Sequence, residues 1–351
     1  MRRIQDLQIL HFVQNIYMKL LVTGGAGFIG SNFIHYWLKK YPEDMIVNFD
    51  TLTYAGNLEN LKDIENNPKY KFTKGDVCDR DTVFEAVKDC DVIVHYAAET
   101  HVDRSIMDPD IFLKSNVFGT QNILEAVRKY EKRLHHVSTD EVFGALGSND
   151  PAFNEKTPYD PRSPYSASKA SADHLVRAYF HTYGIKMTIS NCSNNYGRFM
   201  FPEKVLPLFI ANLMEDKKVP VYGDGLQVRD WIHTLDHARG VDMILQKGKI
   251  GETYCLGGQH EMTNLELTKT LLKVMDKDES SIEYVKDRPG HDRRYAIDFT
   301  KAKTELGWEP QIKFEDGLLD MVEWYRDNQE WVNRCRSGAY QDYYKKQYIE
   351  R

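Results

Sequence analysis

The hydrophobic positions along the first half of the chain form short apolar runs that alternate with longer segments of helical period. The apolar runs predict strands at Lys19–Thr23, Met45–Phe49, Tyr70–Thr73, Asp91–Tyr96, Leu134–Ser138 and Met187–Asn191. The segments between them repeat apolar residues roughly every three to four positions, which predicts helices at about Phe28–Lys40, Arg80–Lys88, Pro109–Tyr130 and Tyr165–Tyr183. Such alternation is typical of right-handed βαβ units. We therefore expect an α/β fold built on a Rossmann-type, doubly wound parallel sheet.

The composition adds limits on partners and on location. The chain has 351 residues, 42% of them hydrophobic, which is enough to bury a large core. A formal net charge of -6 disfavours binding to nucleic acid or to an anionic membrane, because both require a concentrated basic face. The five cysteines lie far apart without metal-ligand spacing, so we expect reduced thiols in a cytoplasmic protein and no metal site. No apolar run approaches about twenty residues, so no transmembrane helix is predicted.

The first predicted strand runs into a glycine-rich turn that opens the first predicted helix. Gly24, Gly27 and Gly30 stand where a tight turn, a close backbone approach and helix–sheet packing require a small residue. A pyrophosphate would lie at the N-terminus of that helix. Asp50, at the end of the next strand, would accept a hydrogen bond from a ribose 2′-hydroxyl and repel a 2′-phosphate. The pattern therefore predicts NAD, rather than NADP, as the cofactor.

Further polar residues follow the third and fourth predicted strands. Asp76 ends the third strand, and the segment Ala97–Glu99 follows the fourth. Ligands of open α/β sheets bind at this carboxyl edge. Asp76 could accept a hydrogen bond from an adenine amino group, but a turn or a helix cap is an equally good interpretation.

Tyr165 and Lys169 are four residues apart on one predicted helix face. At this spacing the ammonium is expected to stabilise a phenolate and to lower the pKa of the tyrosine, which would make it a base for a sugar hydroxyl. Two other pairs share the spacing, Tyr36 with Lys40 and Tyr70 with Lys74, and we interpret them as solvated helix or strand faces. Only Tyr165 follows a proline-rich loop that comes after a strand ending in polar residues.

Those polar residues are Thr139, Asp140 and Glu141, just beyond the strand Leu134–Ser138. Burial and like charge push the pKa values of two adjacent carboxyl groups apart, so that one can act as an acid and the other as a base. Elimination of water across a carbon–carbon bond needs one group that acts as an acid and another that acts as a base. A pair of capping residues before a turn is the competing interpretation.

Together these motifs resemble the NAD-dependent sugar-nucleotide 4,6-dehydratases of the extended short-chain dehydrogenase/reductase family. The similarity runs from Met18 to about Tyr344. Besides the glycine turn it rests on Asp50–Asn57, Ala97–Ser105, Ser138–Gly144, Tyr165–Lys169, Asn191–Gly197 and Asp287–Arg294.

The resemblance implies a reaction and a role for each catalytic residue. Tyr165 would deprotonate the 4-hydroxyl of the glucose while hydride passes from carbon 4 to NAD, with Thr139 hydrogen-bonding that oxygen and Lys169 holding the ribose. Glu141 would take the carbon-5 proton while Asp140 protonates the departing 6-hydroxyl, and the hydride would return to carbon 6. The implied substrate is dTDP-glucose, whose 4-keto-6-deoxy product commonly feeds deoxysugar synthesis for cell-surface polysaccharide.

The resemblance also assigns contacts by position. NAD contacts would come from Gly24, Gly27, Phe28, Ile29, Gly30, Asp50, Thr51, Leu52, Thr53, Asp76, Val77, Tyr96, Ala97, Ala98, Glu99, Ser115, Tyr165, Lys169 and Asn195. Substrate contacts would come from Thr100, Thr139, Asn194, Lys204, Val205, Pro220, Val221, Tyr222, Arg229, Asn264, Asp287, Arg288, Pro289, Gly290 and His291.

The regular alternation loosens after Asn191, which suggests a second lobe. We expect residues 18–191 to form the NAD-binding domain with the catalytic residues, and residues 192–344 to form mainly a smaller C-terminal α/β lobe for the sugar nucleotide. A later strand or helix could still return to the main sheet. Residues 1–17 are predicted to be an extension outside the fold, and residues 345–351 a tail.

Other functions stay open at this point. A nucleotide-sugar 4-epimerase would share the glycine turn and the Tyr–Lys pair, but it needs no acid/base pair for elimination. A UDP-glucose or CDP-glucose dehydratase would use identical chemistry, and a noncatalytic NAD- or sugar-nucleotide-binding scaffold would be expected to lose part of the catalytic set. The resemblance further implies a homodimer formed through helices around Asp108–Tyr130 and Tyr165–Tyr183.

Overall fold

The computed structural model describes residues 17–287 and 290–337. The predicted extension, apart from Tyr17, and the predicted tail lie outside the described residues, as do Arg288 and Pro289.

The first half of the chain alternates strands and helices as the hydrophobic pattern predicts. Its elements are β1 (Lys19–Thr23), α1 (Phe28–Lys40), β2 (Met45–Asp50), β3 (Tyr70–Lys74), α2 (Arg80–Lys88), β4 (Val92–His95), α3 (Val102–Met107), α4 (Pro109–Phe112), α5 (Gly119–Tyr130), β5 (Arg133–Thr139), α6 (Pro164–Tyr183) and β6 (Lys186–Cys192). Short 3₁₀ helices at Leu58–Ile64 and Asp140–Phe143 follow β2 and β5. The predicted single helix Pro109–Tyr130 is interrupted by a π-helical turn, Leu113–Phe118, between α4 and α5.

The second half adds shorter strands and further helices. They are β7 (Asn194–Tyr196), α7 (Val205–Met214), β8 (Val219–Tyr222), β9 (Val228–His233), α8 (Thr234–Lys247), β10 (Thr253–Leu256), β11 (Glu261–Thr263), α9 (Asn264–Val274), β12 (Ile282–Val285), α10 (Phe314–Asp327) and α11 (Gln329–Cys335). A 3₁₀ turn at Glu279–Ser281 and a π-helical turn at Ala302–Leu306 complete the described elements.

The main sheet has seven parallel strands in the order β10-β6-β5-β4-β1-β2-β3, which confirms the predicted doubly wound α/β fold. Strands β1 and β4, near its centre, are apolar on both faces over Leu20–Val22 and Val92–Val94, because helices cover both faces of the sheet. Apolar residues of α2, α5 and α6 pack on one face, and those of α1 and α8 on the other. Two smaller sheets, β11-β9-β7 and β12-β8, lie with α7, α9 and α10 around a separate apolar core.

Two elements beyond Asn191 belong to the main sheet and to the helices that cover it. β10 pairs with β6 at the sheet edge, and α8 packs beside α1. The division at residue 191 stays a prediction, but the chain beyond it completes the sheet as well as forming the smaller lobe.

The contact between α8 and α1 corrects one interpretation of the sequence. Asp242 is fully buried on α8, and it accepts hydrogen bonds from Tyr36 Oη at 2.8 Å, Tyr41 Oη at 2.9 Å and Lys40 Nζ at 2.5 Å. Tyr36 and Lys40 are therefore part of a helix–helix contact and not a solvated face. Their shared partner lies some two hundred residues away in the chain, so the spacing alone could not reveal it.

Candidate active site

The carboxyl ends of β1 to β6 open into a cavity of about 650 Å³, which we call the central cavity. Parallel strands bring their polar terminal residues to this one edge. The five predicted catalytic residues line it, together with every predicted NAD contact except Leu52. Of the residues predicted to touch only the substrate, Thr100, Asn194 and Lys204 line it as well.

The glycine turn between β1 and α1 forms one end of the central cavity. Gly24 has φ +69°, and a Cβ there would lie 2.7 Å from the backbone of Ala97. A Cβ at Gly30 would lie 2.4 Å from the carbonyl oxygen of Gly24. The turn is thus packed closely against the protein's own backbone, and the residues at the start of α1 line the central cavity, where a helix N-terminus offers backbone N–H groups. The turn fits a dinucleotide pyrophosphate.

Asp50 lies beside this turn at the end of β2. The backbone N–H of Ala26 donates to its Oδ2 at 3.0 Å, and that of Leu52 donates to its Oδ1 at 2.8 Å. Each oxygen keeps a second lone pair for a ribose hydroxyl. Burial raises the pKa of Asp50, and the two N–H groups oppose that rise. Leu52 adopts a left-handed φ of +58°, which turns the chain so that Thr51 and Thr53 line the cavity while Leu52 does not.

At the other end of the predicted cofactor site, Asp76 makes the turn that we considered as an alternative. Its Oδ1 accepts from the backbone N–H of Cys78 at 2.8 Å. Asp76 and Val77 nevertheless line the cavity, next to Ser115 from the π-helical turn. The turn and a role in adenosine binding are therefore compatible.

Thr139, Asp140 and Glu141 stand where β5 ends and its 3₁₀ helix begins. Thr139 Oγ1 accepts from the backbone N–H of Glu141 at 3.2 Å and donates to Asp140 Oδ1 at 3.2 Å. Asp140 is 1% exposed, and its pKa lies well above the usual range, first because of burial and then because of the negative charges of Glu141 and Asp230. Glu141 is only partly buried. The two neighbouring carboxyl groups therefore occupy unlike environments.

Tyr165 and Lys169 lie near the start of α6. Ser163 caps this helix by accepting from the N–H of Ser166, and Pro164 fixes its first residue, so the cap sets the place of Tyr165. Lys169 is buried, and its Nζ donates to the carbonyl oxygen of Val137 at 2.8 Å.

The expectation that Lys169 lowers the pKa of Tyr165 is wrong. The pKa of Tyr165 is raised well above its usual value, first by burial and then by the negative charge of Glu141, while a hydrogen bond with Thr139 lowers it. The ammonium of Lys169 is directed to Val137, so it does not offset the burial of the phenol. Helical spacing placed the pair correctly, but it could not report how deeply the surrounding elements bury it.

A buried polar network that the sequence analysis missed lies beneath Lys169. Asp173 of α6 is fully buried and accepts from Ser138 Oγ at 2.9 Å, Tyr159 Oη at 2.8 Å and Asn191 Nδ2 at 3.3 Å. Its other oxygen lies 3.1 Å from His136 Nε2. The contact with His136, the charge of Lys169 and the hydrogen bond from Tyr159 together hold the pKa of Asp173 below its usual value despite burial. The signal that could have found it is its position one helical turn after Lys169.

Other lining residues were also missed by the sequence analysis. Cys192, at the end of β6, donates from Sγ to the carbonyl oxygen of Ser138 at 3.3 Å, and burial raises its pKa to about 12. The strand-end rule that found Asp76 would have found it too. The residues of the cavity wall that we did not predict are Phe49, Ala55, Gly56, Gly75, Cys78, Ile111, Lys114, Phe118, Val137, Ser138, Cys192, Ser193, Met200, Phe201 and Glu203.

The other predicted substrate residues lie outside the central cavity. Val205 begins α7, Asn264 begins α9, and Pro220, Val221 and Tyr222 belong to β8. Asp287 joins Gln227 Nε2 at 2.9 Å and His291 Nδ1 at 2.7 Å through its two oxygens. Gly290 and His291 line a second cavity of about 640 Å³, together with Arg162 and Arg293.

Arg229 of β9 connects this lobe with the catalytic residues. Its guanidinium donates to the carbonyl oxygens of Val228 at 2.7 Å and Asp292 at 3.0 Å, and it stacks 4.2 Å above the ring of Tyr295. Its positive charge is close enough to oppose the rise in the pKa of Asp140.

The remaining features concern metal ligation and membrane insertion. The described residues contain no group of three or more side chains arranged to hold a metal ion. Within the same ranges, every helix is too short or too polar to cross a membrane.

Comparisons with known proteins give consistent results. A family model described as GDP-mannose 4,6 dehydratase matches residues 21–321. The dTDP-glucose 4,6-dehydratase of Salmonella typhimurium is 48% identical, over 94% of this chain and 99% of the relative. DesIV, a dTDP-glucose 4,6-dehydratase of Streptomyces venezuelae crystallised with NAD, superposes with a TM-score of 0.88 at 46% identity, over 91% of this chain and all of DesIV. The UDP-glucose 4-epimerase of Thermotoga maritima superposes with a TM-score of 0.82 at 29% identity, over 89% of this chain and all of that structure.

Proposed function

The chain belongs to the family of NAD-dependent sugar-nucleotide 4,6-dehydratases, and we propose that it converts dTDP-glucose into dTDP-4-keto-6-deoxyglucose and water. The observation that carries this proposal is the pair of adjacent carboxyl groups, Asp140 and Glu141, in unlike environments beside Tyr165. An epimerase has no use for an acid and a base at this place.

NAD is the cofactor, and the glycine turn, Asp50 and the strand-end residues of the central cavity would hold it. When bound, oxidised NAD supplies a hydride acceptor and a positive charge at the nicotinamide. Positive charge near the phenol favours its ionised form. Tyr165 would therefore act as the base for the 4-hydroxyl, with Thr139 hydrogen-bonding the same oxygen and Lys169 holding the ribose.

The elimination step uses the difference between the two carboxyl groups. Asp140 keeps its proton because its pKa is raised, so it can give that proton to the departing 6-hydroxyl. Glu141, nearer to solvent, takes the proton from carbon 5, which the 4-keto group has made acidic. The 6-hydroxyl leaves as water with the proton from Asp140, and a double bond forms between carbons 5 and 6. The product would then form when carbon 6 takes back the hydride that carbon 4 gave up and carbon 5 takes a proton from Glu141.

The sugar nucleotide would extend from the central cavity into the smaller lobe. We assign Thr100, Asn194 and Lys204, which line the central cavity, to the hexose end. Lys204 Nζ lies 3.1 Å from the carbonyl oxygen of Thr100. We assign the diphosphate to Arg229 and the nucleoside to the residues around β8, Asn264 and Asp287–His291. A guanidinium suits a diphosphate because its donors match two oxygens at once.

We also propose a homodimer and a cytoplasmic location. Several apolar side chains of the segment from α3 to the π-helical turn are exposed, among them Met107, Leu113 and Phe118. A second copy covering the predicted interface, helices around Asp108–Tyr130 and Tyr165–Tyr183, would remove that apolar surface from water. All five cysteines are unpaired, which suits a reducing compartment.

The test is to incubate the purified protein with dTDP-glucose, UDP-glucose and CDP-glucose in separate reactions without added reductant. The 4-keto-6-deoxy product is followed by its alkaline absorbance and by the mass loss of one water. We expect product from dTDP-glucose at much the highest kcat/KM. Interconversion of gluco and galacto forms without dehydration would instead identify an epimerase.

A further inference from the structure

Helix α11, the last helix of the described residues, packs on the 3₁₀ helix Leu58–Ile64, which follows β2. Trp331 of α11 is 4% exposed, and its Nε1 donates to Asn60 Oδ1 at 2.9 Å. Asn60 is 2% exposed and belongs to the 3₁₀ helix Leu58–Ile64. This contact joins residues far apart in the chain and is buried from water on both sides.

Asn60 also forms a hydrogen bond with the glycine turn. Its Nδ2 donates to the carbonyl oxygen of Ala26 at 3.0 Å. The same oxygen accepts from the backbone N–H of Asn57 at 2.9 Å, while the N–H of Ala26 donates to Asp50 at 3.0 Å. Ala26 lies between Gly25 and Gly27, so this peptide is the point at which a flexible turn is held in one shape.

Two further ties connect α11 with the same short segment. Arg334 binds Glu59 through Nε at 2.8 Å and through Nη2 at 2.5 Å. Asn57 Nδ2 lies 3.7 Å from Cys335 Sγ. The ring of Trp331 also makes an edge-on contact with Trp324 of α10, at 5.0 Å between centroids. The helix is thus tied both to α10 and to the segment after β2.

We propose that Trp331 is a positioning residue for the cofactor, holding the glycine turn in its NAD-binding shape through Asn60. The inference rests on the assignment of NAD to the central cavity. A turn that is already ordered loses less conformational entropy when it binds, so its ligand stays longer. Helix α11, none of whose residues lines the central cavity, therefore controls how slowly NAD leaves.

The test compares Trp331→Phe with Trp308→Phe in the full chain loaded with radiolabelled NAD. Trp308 is a matched control: it is fully buried, and its Nε1 donates to the carbonyl oxygen of Asp236 at 3.1 Å, away from the glycine turn. The measurement is the rate at which excess unlabelled NAD replaces the label, with urea unfolding of the loaded protein recorded beside it. We expect roughly fivefold to tenfold faster release for Trp331→Phe, the size set by one buried hydrogen bond, and an unchanged rate for Trp308→Phe.

A second variant tests the route through Asn60. Asn60→Ser should also speed the release of NAD, and Trp331→Phe should add little in that background, because both changes break one chain of contacts. Full additivity of the two changes would overturn the route. Release unchanged in Trp331→Phe, with only the stability lowered, would overturn the proposal while leaving the dehydratase assignment intact. Failure of the wild-type protein to bind NAD would overturn both.

Discussion

At the scale of single residues, neighbouring carboxyl groups differ because their surroundings differ. We expect Asp140→Asn to lower kcat for dehydration by about 10²- to 10⁴-fold, since the amide has no proton to give to the leaving hydroxyl. Binding of NAD should persist, because Asp140 holds none of the predicted pyrophosphate or ribose contacts. The measurements are product formation from dTDP-glucose and NAD content after gel filtration. Near wild-type turnover in Asp140→Asn would assign the acid to another group.

The charge of Asp173 supports a second prediction at this scale. Lys169 is buried and its pKa is lowered by that burial, while the carboxylate of Asp173 opposes the change. Asp173→Asn removes this negative charge, so the ammonium should lose its proton at a lower pH. We expect the alkaline limb of the kcat/KM profile to move to lower pH.

Tyr159→Phe is the matched control for that prediction, because it deletes one hydrogen bond to Asp173 and leaves the charge. The other charged and titratable groups nearby, His136, His95, Cys192 and Arg177, are unchanged in both variants. Equal profiles for Asp173→Asn and the wild type would show that Asp173 serves structure alone.

The sequence could predict which residues meet at the sheet edge, because strand ends and helical spacing are local properties. It could not predict the raised pKa of Tyr165, since that depends on burial by elements distant in the chain. Asp173 was missed for a related reason: its partners Ser138, Tyr159 and Asn191 come from three other segments.

At the scale of elements, the start of α6 decides where Tyr165 stands. Ser163→Ala removes the side chain of a capping box and should cost about 1 kcal/mol of folding free energy. We expect kcat to fall as well, because Tyr165 is the second residue of the helix. The change in stability is read from urea unfolding.

Ser171→Ala is the control within the same helix. Ser171 is exposed, and its Oγ donates to the carbonyl oxygen of Ala167 at 2.8 Å without capping anything. Its stability should change by less than about 0.5 kcal/mol. Equal losses in the two variants would show that the cap does not define the start of α6.

Periodicity predicted the position of α6 and of each strand up to β6. The apolar residues of these segments follow a helical period or form short continuous runs, and both patterns are visible in the sequence. Periodicity missed several features, and two of them show the physical reason. The π-helical turn inside the predicted helix Pro109–Tyr130 leaves the apolar pattern nearly unchanged, and β10, Thr253–Leu256, is too short to stand out from its surroundings. Both are fixed by tertiary packing.

At the scale of the whole molecule, four histidines are fully buried in the interior: His95, His135, His136 and His237. Burial lowers the pKa of each, to about 4 for His237, so the folded protein keeps them neutral. The unfolded chain binds protons to them below about pH 6.5. Because the folded pKa is the lower one, stability is lost as pH falls from that value.

The net pH dependence also contains opposite contributions. Buried carboxyl groups with raised pKa values, such as Asp140 and Asp230, favour the folded state as pH falls. The informative quantity is therefore the difference in pH-dependent stability between the wild type and a variant that lacks one histidine. Within the described residues neither ring nitrogen of His237 has a hydrogen-bond partner, so His237→Phe removes a titrating group without breaking such a bond.

We expect the wild-type protein to lose about 2 kcal/mol more stability than His237→Phe between about pH 7 and about pH 5, the contribution of one histidine with this shift. Urea unfolding at both pH values measures the difference, and His181→Phe, at an exposed position of α6, should behave like the wild type. Parallel losses in all three proteins would mean that His237 becomes protonated without unfolding. In that event the interior near α8 admits water, and the acid sensitivity of the fold originates at another of the buried histidines.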